Sequence, residues 1–333
     1  MNSKPKIQSP LGWLQKNLFN TWYNSLLSIV CLTLLIWIVY GVINWAFTKA
    51  QWEVVTSNLP LFFVGRYPAD QVWRLWLVLI IVGGTIASGI LNPKQRRFLT
   101  ILIPVSFLLI LWLIGGGFIL TPVGTNLWNG LLLTLLAASI SIALAFPIGI
   151  LLALGRQSAL PVLRGFCTIY IELIRGLPLI GILFMAQVML PLVLPGQVQL
   201  DRVVRAIAGL VLFNAAYLAE NVRGGLQSIP RGQVEAAKAL GLNTPLSLLL
   251  IVLPQALRTV IPAIVGQFIS LFKDTSLLSL FALVELTGIT RSILAQPQFL
   301  GRYAEVYLFI GLIYWVFCYT MSQLSHKLEQ KNT

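Results

Sequence analysis

Charge is scarce in this chain. Only 10% of its 333 residues are Asp, Glu, Lys or Arg, where a water-soluble domain carries about 25%. Acid is the scarcer sign, with 10 Asp and Glu against 23 Lys and Arg. Histidine occurs once, at His326, and cysteine three times, at Cys31, Cys167 and Cys318, never as Cys-x-x-Cys. That set excludes a metal site at the usual ligand spacings and leaves no His, Cys or paired-carboxylate arrangement for catalysis. The cysteines lie in or beside apolar runs and read as small packing residues. The phosphate-cradling pattern G-x-x-x-x-G-K-[ST] is missing too, so the chain does not hold ATP by that loop. No catalytic residue, no metal and no cofactor bound by this chain is expected.

What fills the space is hydrocarbon. Hydrophobic residues make up 57% of the sequence. Several runs exceed the roughly 18 apolar residues that read as a bilayer span. In lipid a backbone must satisfy itself, and runs this long and continuous do so as helices. The fold class is therefore all-α: a polytopic membrane protein of about eight transmembrane helices, expected near 26–47, 73–91, 98–120, 127–155, 166–194, 203–222, 246–271 and 303–325. The first run is too long for a signal-peptide core and is not followed by A-x-A, so it is expected to remain as an anchor.

The net charge of +13 would suggest nucleic acid on a soluble chain. Here it reads as orientation, because basic residues mark the cytoplasmic ends of spans. They gather before the first span, around Lys94–Arg97, at Arg156 and Arg164, from Arg223 to Lys238, and at Lys327 and Lys331. Every second loop is basic, so those loops and both termini are expected in the cytoplasm. The linker 120–126 is uncharged and is expected outside. The outer segments 48–72 and 272–302 carry some Lys and Arg as well, so the bias is not absolute.

One inner loop, near 223–245, has unusual chemistry. In "SIPRGQVEAAKALGLNTP", Ser228–Pro245, Ser228 is expected to cap a helix with Pro230 just inside. "VEAAKAL" supplies helix formers, and Gly241 stops the helix. Thr244 and Pro245 then start the next span. The outcome is a short, sharply bounded helix, too small and too weakly amphipathic to lie in lipid. Its alanines would let another protein approach closely, which favours docking.

The spacing extends this. Glu235-Ala236-Ala237, three residues, Gly241, nine residues, Ile251, one residue, then Leu253-Pro254, resembles the cytoplasmic-loop signature of permease subunits of bacterial ABC importers. "AAYLAENVRGGLQSIPRGQVEAAKALG" (Ala215–Gly241), "YIELIRGLPLI" (Tyr170–Ile180) and "FKDTSLLSLFALVELTG" (Phe272–Gly288) are similar to the polar amino acid branch of that family. The resemblance covers about 127–326, a core of five spans of the type I importer kind. The three preceding spans, with "NLPLFFVGRYPADQVWRLW" (Asn58–Trp76), resemble the longer permeases of general L-amino-acid importers.

The resemblance implies a transport subunit, with no chemistry of its own, in the bacterial inner membrane. It also implies partners: a cytoplasmic ATP-binding subunit that uses ATP, a second permease that is a different chain, and a periplasmic amino acid binding protein. Gly232, Glu235, Ala236, Ala237, Gly241, Leu253 and Pro254 would be the coupling positions. The expected organisation is a cytoplasmic segment 1–25, an extension 26–120, a permease core 121–326 and a tail 327–333.

Charges within spans cost about 2.5–3.5 kcal/mol on insertion scales, so they usually have a purpose. Glu172 and Arg175 share one helix face, as do Glu220 and Arg223. Mutual neutralisation near the inner edge is the favoured reading of the first pair, and anchoring of the loop that of the second. Asn214 is deeper and uncharged, able to bond across helices or to line a path. Lys273 and Asp274 read as an outer ion pair or a gate. Glu172, Arg175, Asn214, Glu220, Lys273 and Asp274 are the candidate substrate-path residues. The alternative function is an ion-gradient-driven secondary transporter, which often shows paired broken helices and two similar halves; no such repeat is evident here.

Overall fold

The structure is a computed structural model that describes residues 10–91, 96–195 and 199–330. Lys4, Lys6, Lys94 and Lys331, which entered the orientation reading, lie outside the described residues. Among the described residues the chain is helical, with two isolated β-bridges and no strand.

The chain divides into two units, 1–53 and 54–333. The first holds α1 (Pro10–Asn17) and α2 (Trp22–Thr48). Thr21 caps α2 by accepting from the Asn24 amide. No residue of α2 is buried, and Trp, Leu, Ile and Val project from it all round, as befits a helix in lipid.

The second unit begins with short helical turns and a hairpin of α3 (Trp73–Leu91) and α4 (Arg96–Gly115). Thr85 donates to Ser106 across the hairpin at 3.2 Å. Its outer end is closed by a buried cation: Arg74 donates to the backbone and hydroxyl oxygens of Thr121 at 2.9 and 2.7 Å. Beside it Tyr67 donates to the Ile114 carbonyl at 2.9 Å. Burial pushes the Tyr67 phenol above its usual range.

The core is built on α5 (Gly130–Arg156) and α8 (Arg202–Ser228), which run against each other over most of their length. Lipid tails are as apolar as leucine, so such helices gain most by close packing of small side chains. Ala137, Ala145 and Ala153 of α5 and Ala215 and Ala219 of α8 are all fully buried. Between α5 and α8 lie α6 (Pro161–Gly176) and α7 (Leu179–Val193), which meet at a bend of 105°. Beyond α8 come α9 (Arg231–Ala239), α10 (Thr244–Thr259), α11 (Ile261–Asp274), α12 (Leu286–Leu294) and α13 (Tyr303–Gln330). Phe272 of α11 packs on Tyr314 and Phe317 of α13.

Among the described residues seven helices are long and apolar enough to cross a membrane, or eight if the bent pair counts as one span. Two expected spans differ from the observed elements. The span expected at 166–194 is broken, because Pro178 pushes Leu177 into extended backbone (φ −100°, ψ 142°). The span expected at 246–271 is cut at Val260, where Pro262 falls in the first turn of a new helix. The crossing segment is therefore Ile261–Phe281, and Thr244–Thr259 is a separate, shorter apolar helix.

Candidate functional site

The loop helix forms, but with different caps. Ser228 is the last residue of α8, which runs six residues beyond the expected end at 222, and its hydroxyl turns back to the Gly225 carbonyl. Pro230 takes the cap position and α9 starts at Arg231. Asn243, not Thr244, caps the next helix, its side chain accepting from the Leu246 amide at 3.0 Å.

The C-terminus of α9 follows the glycine rule closely. Gly241 is left-handed, with φ +81°. Its amide donates to the Lys238 carbonyl at 2.9 Å, and the Leu242 amide donates to the Ala237 carbonyl at 3.1 Å. This is the paired bonding of a Schellman motif, which an L-residue at 241 would strain. No other atom lies within 4 Å of where a Cβ at Gly241 would stand, so backbone conformation, not crowding, selects glycine there.

Two faces result. Val234 and Ala237 turn inward against the core, Ala237 being only 3% exposed. Gly232, Glu235, Ala236, Lys238 and Leu240 face outward. Of the positions singled out from the signature, Ala237 thus seats the helix, while Glu235, Ala236 and Gly241 present a surface. Leu253 packs against the core, and Pro254 sits exposed at the start of the regular part of α10. Just before it, Leu248–Val252 widens into a π turn. A wider turn accommodates a proline that lacks its donor.

A link joins loop helix to span. The Gln255 side-chain amide donates both to the Ile251 carbonyl at 2.8 Å and to the Gln233 side chain at 3.2 Å. Below it, the Gly225 site is filled by α10: a Cβ there would stand 2.6 Å from the Ala256 carbonyl oxygen. The inner end of α8, the loop helix and α10 are therefore one packed assembly. Sequence reading passed over Gln233 and Gln255; their only signal was polarity beside the signature.

Three of the candidates, Glu172, Arg175 and Glu220, gather at this end of the bundle, and one of the two expected pairs is replaced by others. Glu172 does not pair with Arg175. It accepts from Arg156 at 2.8 Å, and Arg175 approaches Glu220 at 3.4 Å while lying over the Tyr217 ring. Glu220 is the centre, also bonded to Arg156 at 2.6 Å and to Arg223 at 2.8 Å. Its side chain is 14% exposed. The expected Glu220–Arg223 pair forms, but within a cluster of five. Arg156 was read only as an orientation charge, because its partners are 16 and 64 residues away.

The other candidates lie further along the bundle. Asn214 is fully buried and receives a 2.8 Å bond from Gln267 of α11. Lys273 and Asp274 stand at the opposite end of α11 from Val260, with no ion pair between them. The six residues thus occupy three levels and form no single pocket.

At the other end of the bundle, Glu285 caps α12 by accepting from the Thr287 and Gly288 amides at 2.7 and 2.8 Å, and Tyr314 donates to it at 3.3 Å. Burial raises its carboxyl to about 7. The described residues contain no group of three or more His, Cys, Asp or Glu able to hold a metal.

Comparison with known proteins gives concordant matches. The family described as "Binding-protein-dependent transport system inner membrane component" matches residues 145–333. The inner membrane amino-acid ABC transporter permease protein YhdY of Escherichia coli is 43% identical, over 96% of this chain and 92% of that protein. The glutamate/glutamine/aspartate/asparagine transport system permease protein BztC of Rhodobacter capsulatus is 31% identical, over 98% and 95%. A shorter relative, the probable glutamine ABC transporter permease protein GlnP of Bacillus subtilis, is 40% identical over 62% of this chain and 94% of itself. Among solved structures, a crystal structure of an amino acid ABC transporter with histidines superposes with a TM-score of 0.55, at 28% identity, over 61% of this chain and 92% of that one.

Proposed function

The chain belongs to the family of binding-protein-dependent transport system inner membrane components, and from that premise we propose that it is the permease subunit of an ATP-driven importer of polar amino acids. It is a transport subunit and makes or breaks no bond. The family implies a separate ATPase and a substrate-binding protein as its partners, and it sets aside the ion-gradient transporter.

The finer reading concerns how ATP moves this chain. The observation that carries it is the divided face of α9: Val234 and Ala237 hold the helix to the bundle, while Glu235, Ala236 and Leu240 are presented to a partner. In this reading the ATPase docks on that outer face, and its closure pulls on α9. The Gln233–Gln255 bond and the Gly225–Ala256 contact pass the movement to α10 and α8. Beyond the break at Val260, α11 carries Gln267 and the path residues. The chain's end with α9 faces the cytoplasm, as do both termini. A second permease, a different chain, completes the path. The name of the longer relative BztC supports acidic and neutral polar amino acids as cargo.

Co-purification from cells expressing the neighbouring subunits tests this. The normal chain is expected to retain an ATPase, and Gly241→Asp to lose it while remaining inserted, with amino acid uptake abolished. Gly241→Asn should be milder, since Asn tolerates the left-handed region. Full uptake by Gly241→Asp would overturn the coupling role.

A further inference from the structure

A cleft of about 460 Å³ opens beside the arginine–glutamate cluster. Its walls are Arg156, Gln157, Arg164, Thr168, Arg223 and Gln227. No wall residue carries negative charge. The two carboxylates nearby are already engaged, Glu172 by Arg156 and Glu220 by Arg156, Arg175 and Arg223. The Arg164 side chain is exposed and has no hydrogen bond or ion pair among the described residues. Four guanidiniums therefore meet two carboxylates, which leaves two positive charges uncancelled.

The donors around the cleft suit one kind of ligand. Guanidinium forks bind phosphate oxygens in pairs, and the Thr168 hydroxyl and the Gln157 and Gln227 amides add neutral donors. The location selects the source. The cleft lies where α5 ends and α6 begins, at the boundary of the spans, where lipid headgroups sit. Val162, Phe166, Ile169 and Leu173 form one exposed apolar stripe on α6, at helical spacing. Arg164 and Thr168 lie on the other side of the same helix. α6 thus has acyl-chain surface on one side and the donors of the cleft on the other, the division of a helix at headgroup level.

We propose that this cleft is a binding site for the phosphate of an anionic phospholipid, held mainly by Arg164 and Arg223 and completed by Arg156 and Thr168. The site is separate from the outer face of α9 and does not depend on the coupling reading. Its bound headgroup offsets part of the charge excess at the point where α5, α6 and α8 meet. Basic pockets between transmembrane helices commonly recognise anionic headgroups in this way.

The full chain, purified in mild detergent, tests this by native mass spectrometry with equal amounts of phosphatidylglycerol and phosphatidylcholine of identical acyl chains. Preferential retention of phosphatidylglycerol is expected. Arg164→Gln should cut that retention about fivefold, the effect of one basic residue near an anionic headgroup. Thr168→Val should reduce it less, and Arg258→Gln, a basic residue outside the cleft, should leave it unchanged. Because the Arg164 side chain bonds to no other described residue, Arg164→Gln should unfold at the normal temperature in phosphatidylcholine alone. A parallel thermal-unfolding arm adds inorganic phosphate. Stabilisation by phosphate equal to that by phosphatidylglycerol, and lost in Arg164→Gln, would assign the site to free phosphate and overturn the lipid assignment. Equal retention of the two lipids, or a preference that survives both variants, would overturn the site altogether.

Discussion

Glu220 is one carboxylate among three guanidiniums, and its removal leaves a like-charged group at the edge of the bundle. Taking one partner from a buried pair costs several kcal/mol, most of it from the charge left unpaired. Glu220→Ala is therefore expected to destabilise by about 3 kcal/mol, and Glu220→Gln by less, read as loss of thermal stability in detergent. If Glu220→Ala unfolds with the normal midpoint, the cluster is only a surface arrangement. Glu285 behaves in the opposite sense. Its carboxyl is raised to about 7 by burial, above the usual unfolded value of about 4.3. Below pH 4 both states are protonated and the group has no effect. Between about 4 and 7 the unfolded state ionises first, so stability falls as pH rises, and the loss levels off above 7. The unfolding midpoint should decline over that window, and Glu285→Gln should flatten the decline. An unchanged slope in the variant would assign it to other groups.

Among the elements, α10 is joined to α8 and to α9 by one contact each. Gly225→Val places a branched side chain against the Ala256 carbonyl, only 2.6 Å from even a Cβ. Overpacking of that kind costs about 1–3 kcal/mol, and it should lower uptake while the ATPase still binds α9. The glutamine link supplies a sharper test. Gln233→Leu and Gln255→Leu remove opposite sides of one hydrogen bond, so each should weaken the coupling of ATP hydrolysis to uptake by a similar factor. The double variant should be no worse than either single one, since contacting residues are not additive. Additive losses would mean that the two side chains act separately.

For the whole molecule the question is what the N-terminal unit contributes. Among the described residues the buried core of the second unit includes Val54, Val55 and Phe62 and continues through the later helices, while no residue of α2 is buried. A chain beginning at Val54 is expected to insert and unfold at nearly the normal temperature. A large drop would place part of the core in residues 1–53. Orientation is testable at the same scale. Cysteine at Gln233 should be labelled by an impermeant reagent from the cytoplasmic side only.

Much of this molecule was legible in its sequence, and the legible parts share a cause. Run length and the shortage of charge imposed helices in lipid, because an unsatisfied backbone is too costly there. The loop helix and its glycine stop were legible because they depend on neighbours within a few residues: Gly241 must be left-handed wherever the helix lies. The break at Leu177–Pro178 and the restart at Ile261–Pro262 had their prolines in view, but proline is tolerated in membrane helices and only packing decides where it breaks one. Pairing was legible only within one helix turn, as at Glu220 and Arg223. Glu172 and Arg175 share a helix face and still bond elsewhere, because Arg156 and Glu220 are brought beside them by the packing of α5 on α8. The sequence by itself determined a helical membrane protein with a short, glycine-stopped loop helix, through local and compositional terms. Only the tertiary structure decided which charges meet, which cleft they leave open and how the loop helix is tied to α10, because those contacts join residues tens of positions apart.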